Sequence, residues 1–409
     1  MKGASTMNAT STLRIPCVLM RGGTSRGLVF RREDLPTDRG EWDAIFLAAL
    51  GSPDVRQLDG VGAGDSHTSK VAVLHPSEDS GPDGADVDYL FGEVAITEAR
   101  VDYAANSGNI IAALGLYAVE EGWVPAVDPE TSVRVRNLNT GKLIELIVPT
   151  PGGVLAEEGD FSIDGVPGEG PRIDMAFPRP EGAVTDRLLP TDSLVERLEV
   201  PGLGAVEVTL LDAANPVVLV AGEDLGITPL ATVGDLNGDK AFLETVQGLR
   251  SAASVAMGLV SRPEDAWGHS PMVPFPVLLF PPADYPRFDD PARRVRAGEV
   301  DLCARVISLG RIHKSINVTV SVAITAAALT PGTLANRISQ GAAEKGGLRI
   351  GHPSGVVHTQ GLARPGEDAK GPPVIEWVRM GRTARRIMEG NAVIQPHKLR
   401  WIRERMREL

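Results

Sequence analysis

Lys70 is the residue of this chain whose sequence context best suits it to act as an acid or a base. It follows a segment rich in glycine and serine and begins the apolar stretch 71–74, which predicts that it lies at the entrance of a buried strand. Burial disfavours the charged form of a lysine and lowers its pKa toward a range useful for proton transfer. The alternative is a surface lysine whose stem lies along apolar groups while its amine stays in water.

The segment Asn106-Ser107-Gly108-Asn109 is the second feature that could do chemistry. It precedes the apolar stretch 110–119, and the pattern predicts a helix over residues 108–121 with Asn or Ser as its N-cap, ended by Gly122 and Pro125. Because the stretch is apolar nearly all round, we expect the helix to be buried on every side. The free N–H groups and the positive dipole end of its first turn would suit a carboxylate or an oxyanion.

A glycine-rich turn follows the first predicted strand, at residues 20–27. Its arginines Arg21 and Arg26 could pair with a carboxylate, and its glycines allow close approach of the backbone. A solvated β-turn with two surface arginines is the alternative. The later run 59–70 has a glycine pattern like that of dinucleotide-binding loops, but no strand and helix frame it, so it predicts no nucleotide site.

Two further clusters lie in the second half of the chain. His313 and Lys314 precede a second apolar helix, and we expect them to occupy the positions that Asn106 and Ser107 have in the first half. His352 lies in a turn with glycine and proline, where it is either a general acid or a structural residue. The spacing of the seven histidines matches no common metal-binding pattern, so no metal site is predicted.

The arrangement of the apolar segments predicts an α+β protein with two similar halves. Strands are expected at 15–20, 70–74 and 87–96 before the first buried helix, and at 205–211, 216–220 and 273–280 before a second one at 316–329. The loops 79–86, 157–171 and 361–373 are rich in Gly, Pro and acidic residues and should lie on the surface. The boundary between the halves is expected within 183–200.

Composition limits the partners that this chain can have. Its 409 residues carry a net charge of −12, which argues against nucleic acid and anionic membranes as partners and requires local cationic groups to attract any anionic substrate. Two cysteines give neither a disulfide framework nor a zinc cluster, which suits a reducing compartment. The polar N-terminal segment reads as a frayed leader, and no stretch of 18 apolar residues occurs. We therefore expect a cytoplasmic protein.

Several motifs together resemble one protein family. They are RGGTSRG, a glycine-rich run ending in SKVAVL, NSGN before a buried helix, DAANPVVLV, and GHPSG followed by RTARRIMEG, and they extend from about residue 15 to 393. The chain resembles the methylaconitate cis-trans isomerase (PrpF-like) family, which includes 4-oxalomesaconate tautomerases and methylitaconate delta-isomerases. The resemblance implies the diaminopimelate-epimerase-like fold: two pseudo-symmetric domains, each a curved, mostly antiparallel sheet or barrel around a central buried helix, with the active site between them.

This fold would place residues 1–190 in an N-terminal domain and residues 191–387 in a C-terminal domain, with residues from about 388 to 409 able to return to the first. By the resemblance, Lys70 matches the acid/base lysine of the family, and Ser107 stands where the family usually has the cysteine of NCGN. A cysteine with a pKa of about 8.5 can become a thiolate, whereas a serine hydroxyl is a poor base by itself. Ser107 therefore argues against a two-base epimerase and for a one-base 1,3-proton shift.

The predicted function is a cofactor-independent isomerase of a small unsaturated di- or tricarboxylate of the aconitate, methylaconitate, methylitaconate or oxalomesaconate type. Lys70 and Ser107 are the predicted catalytic residues. The predicted substrate-binding residues are Arg21, Gly23, Thr24, Ser25, Ser69, Asn106, Gly108, Asn109, Lys314, His352 and Ser354, with Arg305, Arg382 and Arg385 as weaker candidates. A keto–enol tautomerase and a catalytically silent binding protein of the same fold are the alternatives. No cofactor is expected, and a homodimer is possible.

Overall fold

The structure is a computed structural model that describes residues 11–79, 81, 84–104, 106–366 and 371–408. Its helices are α1 (Trp42–Leu50), α2 (Gly108–Glu120), α3 (Val233–Gly238), α4 (Lys240–Ala256), α5 (Ala266–His269), α6 (Val318–Ala328), α7 (Leu334–Ser339) and α8 (Pro396–Met406). Its strands are β1 (Leu13–Gly22), β2 (Ser25–Arg31), β3 (Lys70–Pro76), β4 (Val87–Val94), β5 (Val101–Asp102), β6 (Glu130–Asn137), β7 (Leu143–Pro149), β8 (Ile173–Pro178), β9 (Glu196–Val200), β10 (Gly204–Ala213), β11 (Asn215–Ala221), β12 (Phe275–Phe280), β13 (Tyr285–Pro286), β14 (Arg294–Val295), β15 (Leu302–Ser308), β16 (Arg311–Ile312), β17 (Leu348–His352), β18 (Gly355–Arg364), β19 (Val374–Arg382) and β20 (Ala384–Ile394).

The strands pair in the same order in both halves of the chain. In the first half, β1–β2, β3–β4 and β6–β7 are antiparallel pairs, and β2–β3 and β4–β6 are parallel pairs. In the second half, β10, β11, β12, β15, β17 and β18 repeat this series of antiparallel and parallel pairs. Strand β8 pairs with β19, which joins both series into one hydrogen-bonded network of 18 strands in the described part of the chain. The predicted α+β architecture with two similar halves is confirmed.

One apolar helix belongs to each series and lies in its core. Helix α2 is buried except at Leu116 and Glu120, and every residue of α6 is buried. Both helices contribute to one continuous hydrophobic core. Because side chains alternate along a strand, Ala72 and Leu74 of β3 face this core, whereas Val71 and Val73 face a second cluster around α1 and α8. The same alternation directs the side chain of Lys70 toward the α2 face of the sheet.

The ends of the two central helices were predicted with different success. Helix α2 covers 108–120 and is followed by Gly122 with φ +68°, close to the prediction of 108–121. Helix α6 begins at Val318 with Asn317 as its N-cap. The expectation that His313 and Lys314 correspond to Asn106 and Ser107 was therefore wrong. Residues 311–312 still pair with β15, so the chain must leave that strand before the helix can start, and Ile316 and Asn317 occupy these positions.

The C-terminal segment returns to the first half of the chain. Strand β20 pairs with β1 along its length, and Leu399 and Ile402 of α8 share a hydrophobic cluster with α1. The predicted domain limits at residues 190 and 191 stay a prediction. Strand β18 continues to Arg364, so the first part of the predicted loop 361–373 is a strand, and this loop and the loop 79–86 lie partly outside the described residues. No described helix combines the length and apolar character needed to cross a bilayer.

Candidate active site

Lys70 is buried and forms an ion pair with Glu93. The two residues lie directly opposite each other on the antiparallel strands β3 and β4, and Nζ of Lys70 lies 2.5 Å from Oε2 of Glu93. Only 3 % of Lys70 and 1 % of Glu93 is exposed, so the surface-lysine alternative is wrong. The aromatic ring of Phe91 lies 5.7 Å from the amine and adds a weak cation–π contact.

The environment of Glu93 favours its neutral form. Burial raises the pKa of this carboxyl to about 7, although the charge and hydrogen bond of Lys70 oppose the rise. Asp102 lies opposite Glu93 on β5, and its negative charge raises the pKa further. The second oxygen of Glu93, Oε1, is buried without a hydrogen-bond partner among the described residues. Glu93 can therefore hold a proton near neutral pH although Lys70 lies beside it.

The N-termini of α2 and α6 meet in the core. A Cβ at Gly108 would lie 2.3 Å from Cγ1 of Val318, so only glycine lets the two helix ends come this close. Ser107 is the N-cap of α2, is 8 % exposed, and makes no capping hydrogen bond with its side chain. Its hydroxyl is thus not committed to the helix, and the positive ends of two helix dipoles point into the same region.

The turn between β1 and β2 is fitted against the first turn of α2. Gly23 adopts φ +51°, and a Cβ there would lie 2.1 Å from Oδ1 of Asn109. Thr24 N donates to this oxygen at 3.4 Å, and Asn109 Nδ2 donates to Thr24 Oγ1 at 3.1 Å. Nη1 of Arg21 donates to the carbonyls of Gly23 and Thr383 at 3.0 Å, so this part of its guanidinium holds the turn in place.

A chain of polar contacts crosses from the first half to the second beside this turn. Asp65 Oδ1 lies 2.7 Å from Nδ1 of His67, and Nε2 of His67 lies 3.3 Å from Oγ of Ser315. The Ser315 hydroxyl donates to Thr24 Oγ1 at 3.0 Å. Asp65 also pairs with Lys314, whose side chain is half exposed. Sequence reasoning missed Asp65, His67 and Ser315, because residues 248 positions apart show no common spacing.

A second histidine, His313, packs against this chain of polar contacts. His313 stacks on His67 with ring centroids 4.1 Å apart, and its Nδ1 accepts a hydrogen bond from Ser315 N at 3.2 Å. Burial, and then the charges of His67 and Lys70, lower the pKa of His313 well below the ordinary value. The ring is therefore neutral.

A cavity of about 480 Å³ lies beside the polar chain. Four of its wall residues belong to or touch the elements already described: Thr24, Ser315, His352 and Arg382. The segment 161–165 covers it, since Phe161 and Asp164 line the wall and Gly165 lies close to Thr24, Ser315 and Ser354. Thr24 and His352 are thus predicted site residues that line this cavity, whereas Lys70 and Ser107 are buried and are not among its lining residues.

His352 is a neutral hydrogen-bond donor. Burial, together with the positive charges of Arg382 and Arg305, lowers its pKa to about 3. Its Nδ1 accepts a hydrogen bond from Ser354 N at 3.3 Å, so the proton of the neutral ring lies on Nε2. His352 can hydrogen-bond an anion in the cavity, but it carries no positive charge at neutral pH.

The remaining predicted residues are used mainly to hold the site together. Ser69 donates to Val94 O, Asn106 Oδ1 accepts from Tyr89, and Ser354 donates to Lys314 O. Ser25 is buried at the start of β2 opposite Gly22. Among the weaker candidates, Arg305 donates to the carbonyls of Ala304 and Pro229, and Arg385 is exposed on β20 away from the cavity. Within the described ranges, no cluster of three or more His, Cys, Asp or Glu side chains could hold a metal ion.

Comparison with known families gives one match that covers almost the whole chain. A family model described as PrpF protein matches residues 12–395. A 3-methylitaconate isomerase from Eubacterium barkeri is 38 % identical over 387 residues, which cover 95 % of this chain and 99 % of the relative. A 2-methyl-aconitate isomerase from Shewanella oneidensis is 36 % identical over 92 % of this chain and 96 % of its own. A 4-oxalomesaconate tautomerase from Pseudomonas putida is 37 % identical over 92 % and 95 %, respectively.

Solved structures agree with these similarities. A crystal structure of a methylitaconate-delta-isomerase superposes with a TM-score of 0.74 at 37 % identity and covers 95 % of this chain and 98 % of that one. A hydroxyproline epimerase from Agrobacterium vitis superposes with a TM-score of 0.52 at 13 % identity over 93 % of each chain, which shows the fold alone. The predicted epimerase-like fold is confirmed.

Proposed function

The chain belongs to the PrpF family and its relatives are isomerases, and from this premise we propose that it moves a proton between carbons of a small unsaturated di- or tricarboxylate without a cofactor. The relatives whose names specify a substrate act on methylitaconate, methylaconitate or oxalomesaconate. The observations that support the proposal are the buried pair of Lys70 and Glu93 on β3 and β4, and the two central helices whose N-termini meet in the core.

In the proposed reaction, Lys70 removes a proton from a carbon next to the conjugated system and returns it two carbons away. The amine must be neutral to accept a proton, and the carboxyl of Glu93 can hold the proton that the amine gives up, because burial favours the neutral form of this carboxyl. An amine and a carboxylic acid in contact carry no net buried charge. Glu93 is therefore a positioning residue that sets the protonation state of the base.

The negative charge that develops on the substrate would be stabilised at the start of α2. The N–H groups of Gly108 and Asn109 belong to the first helical turn, where backbone donors lack partners within the helix. Ser107 adds a hydroxyl that is not used as a cap. Such preorganised donors act where charge appears in the transition state, which is the largest catalytic effect of many enzymes.

A tautomerase of the 4-oxalomesaconate type is the second candidate within the same chemistry. The 37 % identity to the Pseudomonas putida tautomerase favours it as much as the identity to the other relatives favours an allylic isomerase. A binding protein without activity is disfavoured, because a buried amine paired with a carboxyl costs stability and a binder gains nothing from it.

Proton exchange with solvent tests the proposed function directly. The protein would be incubated with 3-methylitaconate, 2-methylaconitate and other unsaturated polycarboxylates in deuterated water, and the carbon-bound protons followed by NMR. An isomerase moves the double bond, and deuterium enters two carbons of the same substrate when the protonated amine exchanges with solvent before it returns the proton. Exchange at one stereocentre with inversion would identify an epimerase. Absence of both double-bond movement and exchange for every substrate would overturn the proposal. A cytoplasmic location and a homodimer stay expectations from the sequence.

A further inference from the structure

Arg382 is a buried cation without an acidic partner. It ends β19, is only 5 % exposed, and lines the cavity beside α2. Its Nη1 donates to the carbonyl of Gly381 at 2.8 Å, and its Nε donates to Oδ1 of Asn109 at 3.4 Å. No carboxylate among the described residues forms an ion pair with it. An unpaired buried charge is strongly destabilising, so proteins rarely keep one unless a ligand supplies the opposite charge.

The acidic residues of the cavity wall are already neutralised by other groups. Asp164 accepts hydrogen bonds from Arg287 and from the backbone N–H of Val356, and Asp174 accepts two from Arg172. Arg379, which also lines the cavity, is exposed and donates to the side chain of Gln360. Arg382 is thus the buried positive charge that this wall leaves without an acidic partner among the described residues. Burial lowers the pKa of Arg382 to about 10, so the guanidinium remains charged at neutral pH.

Neutral hydrogen-bond donors surround the same space. His352 has its proton on Nε2, because its Nδ1 accepts from Ser354, and it lines the same cavity as Arg382. Thr24 and Ser315 also line this cavity, and the Ser315 hydroxyl donates to Thr24 Oγ1 at 3.0 Å. A guanidinium with neighbouring neutral donors matches the planar shape and the two oxygens of a carboxylate.

We propose that Arg382 and the Nε2–H of His352 form a subsite that binds a carboxylate of the substrate remote from the carbons between which the proton moves. This inference rests on the proposed function and deepens it, since it assigns a binding role to a residue of β19. Asn109 connects the two places: its side chain bonds to Arg382 and to Thr24, and its backbone N–H lies in the first turn of α2. A carboxylate on Arg382 would therefore fix the position of the substrate relative to the helix end and to Lys70.

The proposed subsite limits the class of substrate. One carboxylate would lie in the cavity, and a second carboxylate or a developing oxyanion would lie at the start of α2. The substrate must therefore carry at least two anionic groups on a short carbon chain. The substrate should lose most of its affinity when the carboxylate that reaches Arg382 is removed. A cavity of about 480 Å³ holds a molecule of this size with room for water.

Binding of unreactive saturated analogues tests the subsite without any need for turnover. Propane-1,2,3-tricarboxylate and glutarate, which lacks the central carboxylate, would be titrated into the whole protein by calorimetry. We compare the wild type with Arg382→Gln, Arg382→Lys and the control Arg364→Gln, which removes the same charge from an exposed residue of β18 that does not line the cavity. Loss of one charge-assisted, bidentate contact should weaken tricarboxylate binding by about 10- to 100-fold.

The outcomes separate the subsite from the proposed function. We expect Arg382→Gln to bind both analogues equally weakly, Arg382→Lys to fold normally and bind with intermediate affinity, and Arg364→Gln to stay within about threefold of the wild type. With an active substrate, Arg382→Gln should raise KM more than it lowers kcat.

Two results would contradict the subsite. One is tricarboxylate binding by Arg382→Gln equal to that of the wild type, and the other is a loss of the same size in Arg364→Gln. If Arg382→Gln does not fold, Arg382→Lys provides the test. A tricarboxylate affinity of Arg382→Lys within about twofold of that of the wild type would then contradict the subsite. If no tested compound is isomerised but the Arg382-dependent affinity persists, the proposed function fails and the subsite stands.

Discussion

Nζ of Lys70 lies 2.5 Å from Oε2 of Glu93, and the two residues are directly opposite each other on β3 and β4. Both side chains are almost completely buried. A pair of this kind costs desolvation energy on both sides, and its removal by hydrophobic residues is often neutral or stabilising. Its presence on the α2 face of the sheet therefore has a better explanation in proton transfer than in stability.

Replacement of Lys70 tests the proposed base. Lys70→Ala should reduce kcat by at least several orders of magnitude, because it removes the proposed base. Lys70→Arg should also be inactive, since a guanidinium is not deprotonated in this pH range. Turnover of 3-methylitaconate and 2-methylaconitate is the measurement, and circular dichroism checks that both variants fold. Activity of Lys70→Ala within tenfold of the wild type would exclude the one-base reaction.

Replacement of Glu93 tests how the base is kept neutral. Below pH 7 the carboxyl of wild-type Glu93, whose pKa is raised to about 7 by burial, already holds a proton and cannot accept that of Lys70. We therefore expect kcat/KM of the wild type to fall as the pH decreases through about 7, and this inflection to be absent in Glu93→Gln. Asp102→Asn is the matched control: it removes a charge that raises the pKa of Glu93 and should move the inflection to lower pH. Identical profiles in all three proteins would contradict this role.

The sequence predicted the elements whose signal is local. The apolar run 110–119 with Gly122 behind it predicted α2 to within one residue, and the apolar segments at 71–74 and 87–96 predicted β3 and β4. Local patterns carry this information because burial on one face of a helix or strand requires a fixed spacing of apolar residues. Lys70 was noticed for the same reason, as a charge at the entrance of an apolar strand.

The partners of these residues depend on contacts that no local pattern records. Glu93 looks like an ordinary polar strand residue until β4 is paired with β3 in the observed register. His67 and Ser315 meet only because the start of β3 and the start of α6 lie side by side. Arg382 and Arg385 differ by three positions, yet the first is buried in the cavity wall and the second is exposed, because β19 ends between them and the chain continues in β20.

Ser107 is expected to contribute a hydrogen bond rather than a proton acceptor. Ser107→Ala should lower kcat by about 10- to 1000-fold, because it removes one hydrogen-bond donor to a developing oxyanion. Ser107→Cys should remain active, since a thiol at a helix N-terminus can donate a hydrogen bond or ionise. Steady-state kinetics with one substrate suffices for both. Complete loss of activity in both variants would show that the hydroxyl itself carries the proton.

Gly23 allows the β1–β2 turn to approach Asn109. In Gly23→Ala the new Cβ would lie 2.1 Å from Oδ1 of Asn109 in a backbone conformation of φ +51°. The variant should lose about 2–4 kcal/mol of stability from backbone strain and overpacking, and also activity, because the Thr24–Asn109 pair is displaced. Gly122→Ala is the control, with φ +68° and no atom within 4 Å of the new Cβ. It should lose only about 1–2 kcal/mol and keep full activity. Equal effects of both substitutions on activity would refute the role of the close approach.

Buried His352 makes the protein sensitive to acid. In the folded protein burial lowers its pKa to about 3, whereas the ordinary value is 6.5. Below pH 6.5 the unfolded chain therefore binds a proton that the folded chain does not, so stability is lost as the pH falls from about 6.5 toward 3. Between pH 7 and pH 5 this one residue should cost about 2 kcal/mol. The free energy of unfolding would be measured by urea unfolding at pH 7 and pH 5. Between these pH values, we expect the loss of stability in His352→Gln to be about 2 kcal/mol smaller than in the wild type. The control His397→Gln, at an exposed position of α8, should lose as much stability as the wild type over this interval. If the stability of His352→Gln instead depends on pH as that of the wild type does, the ring of His352 is not held neutral.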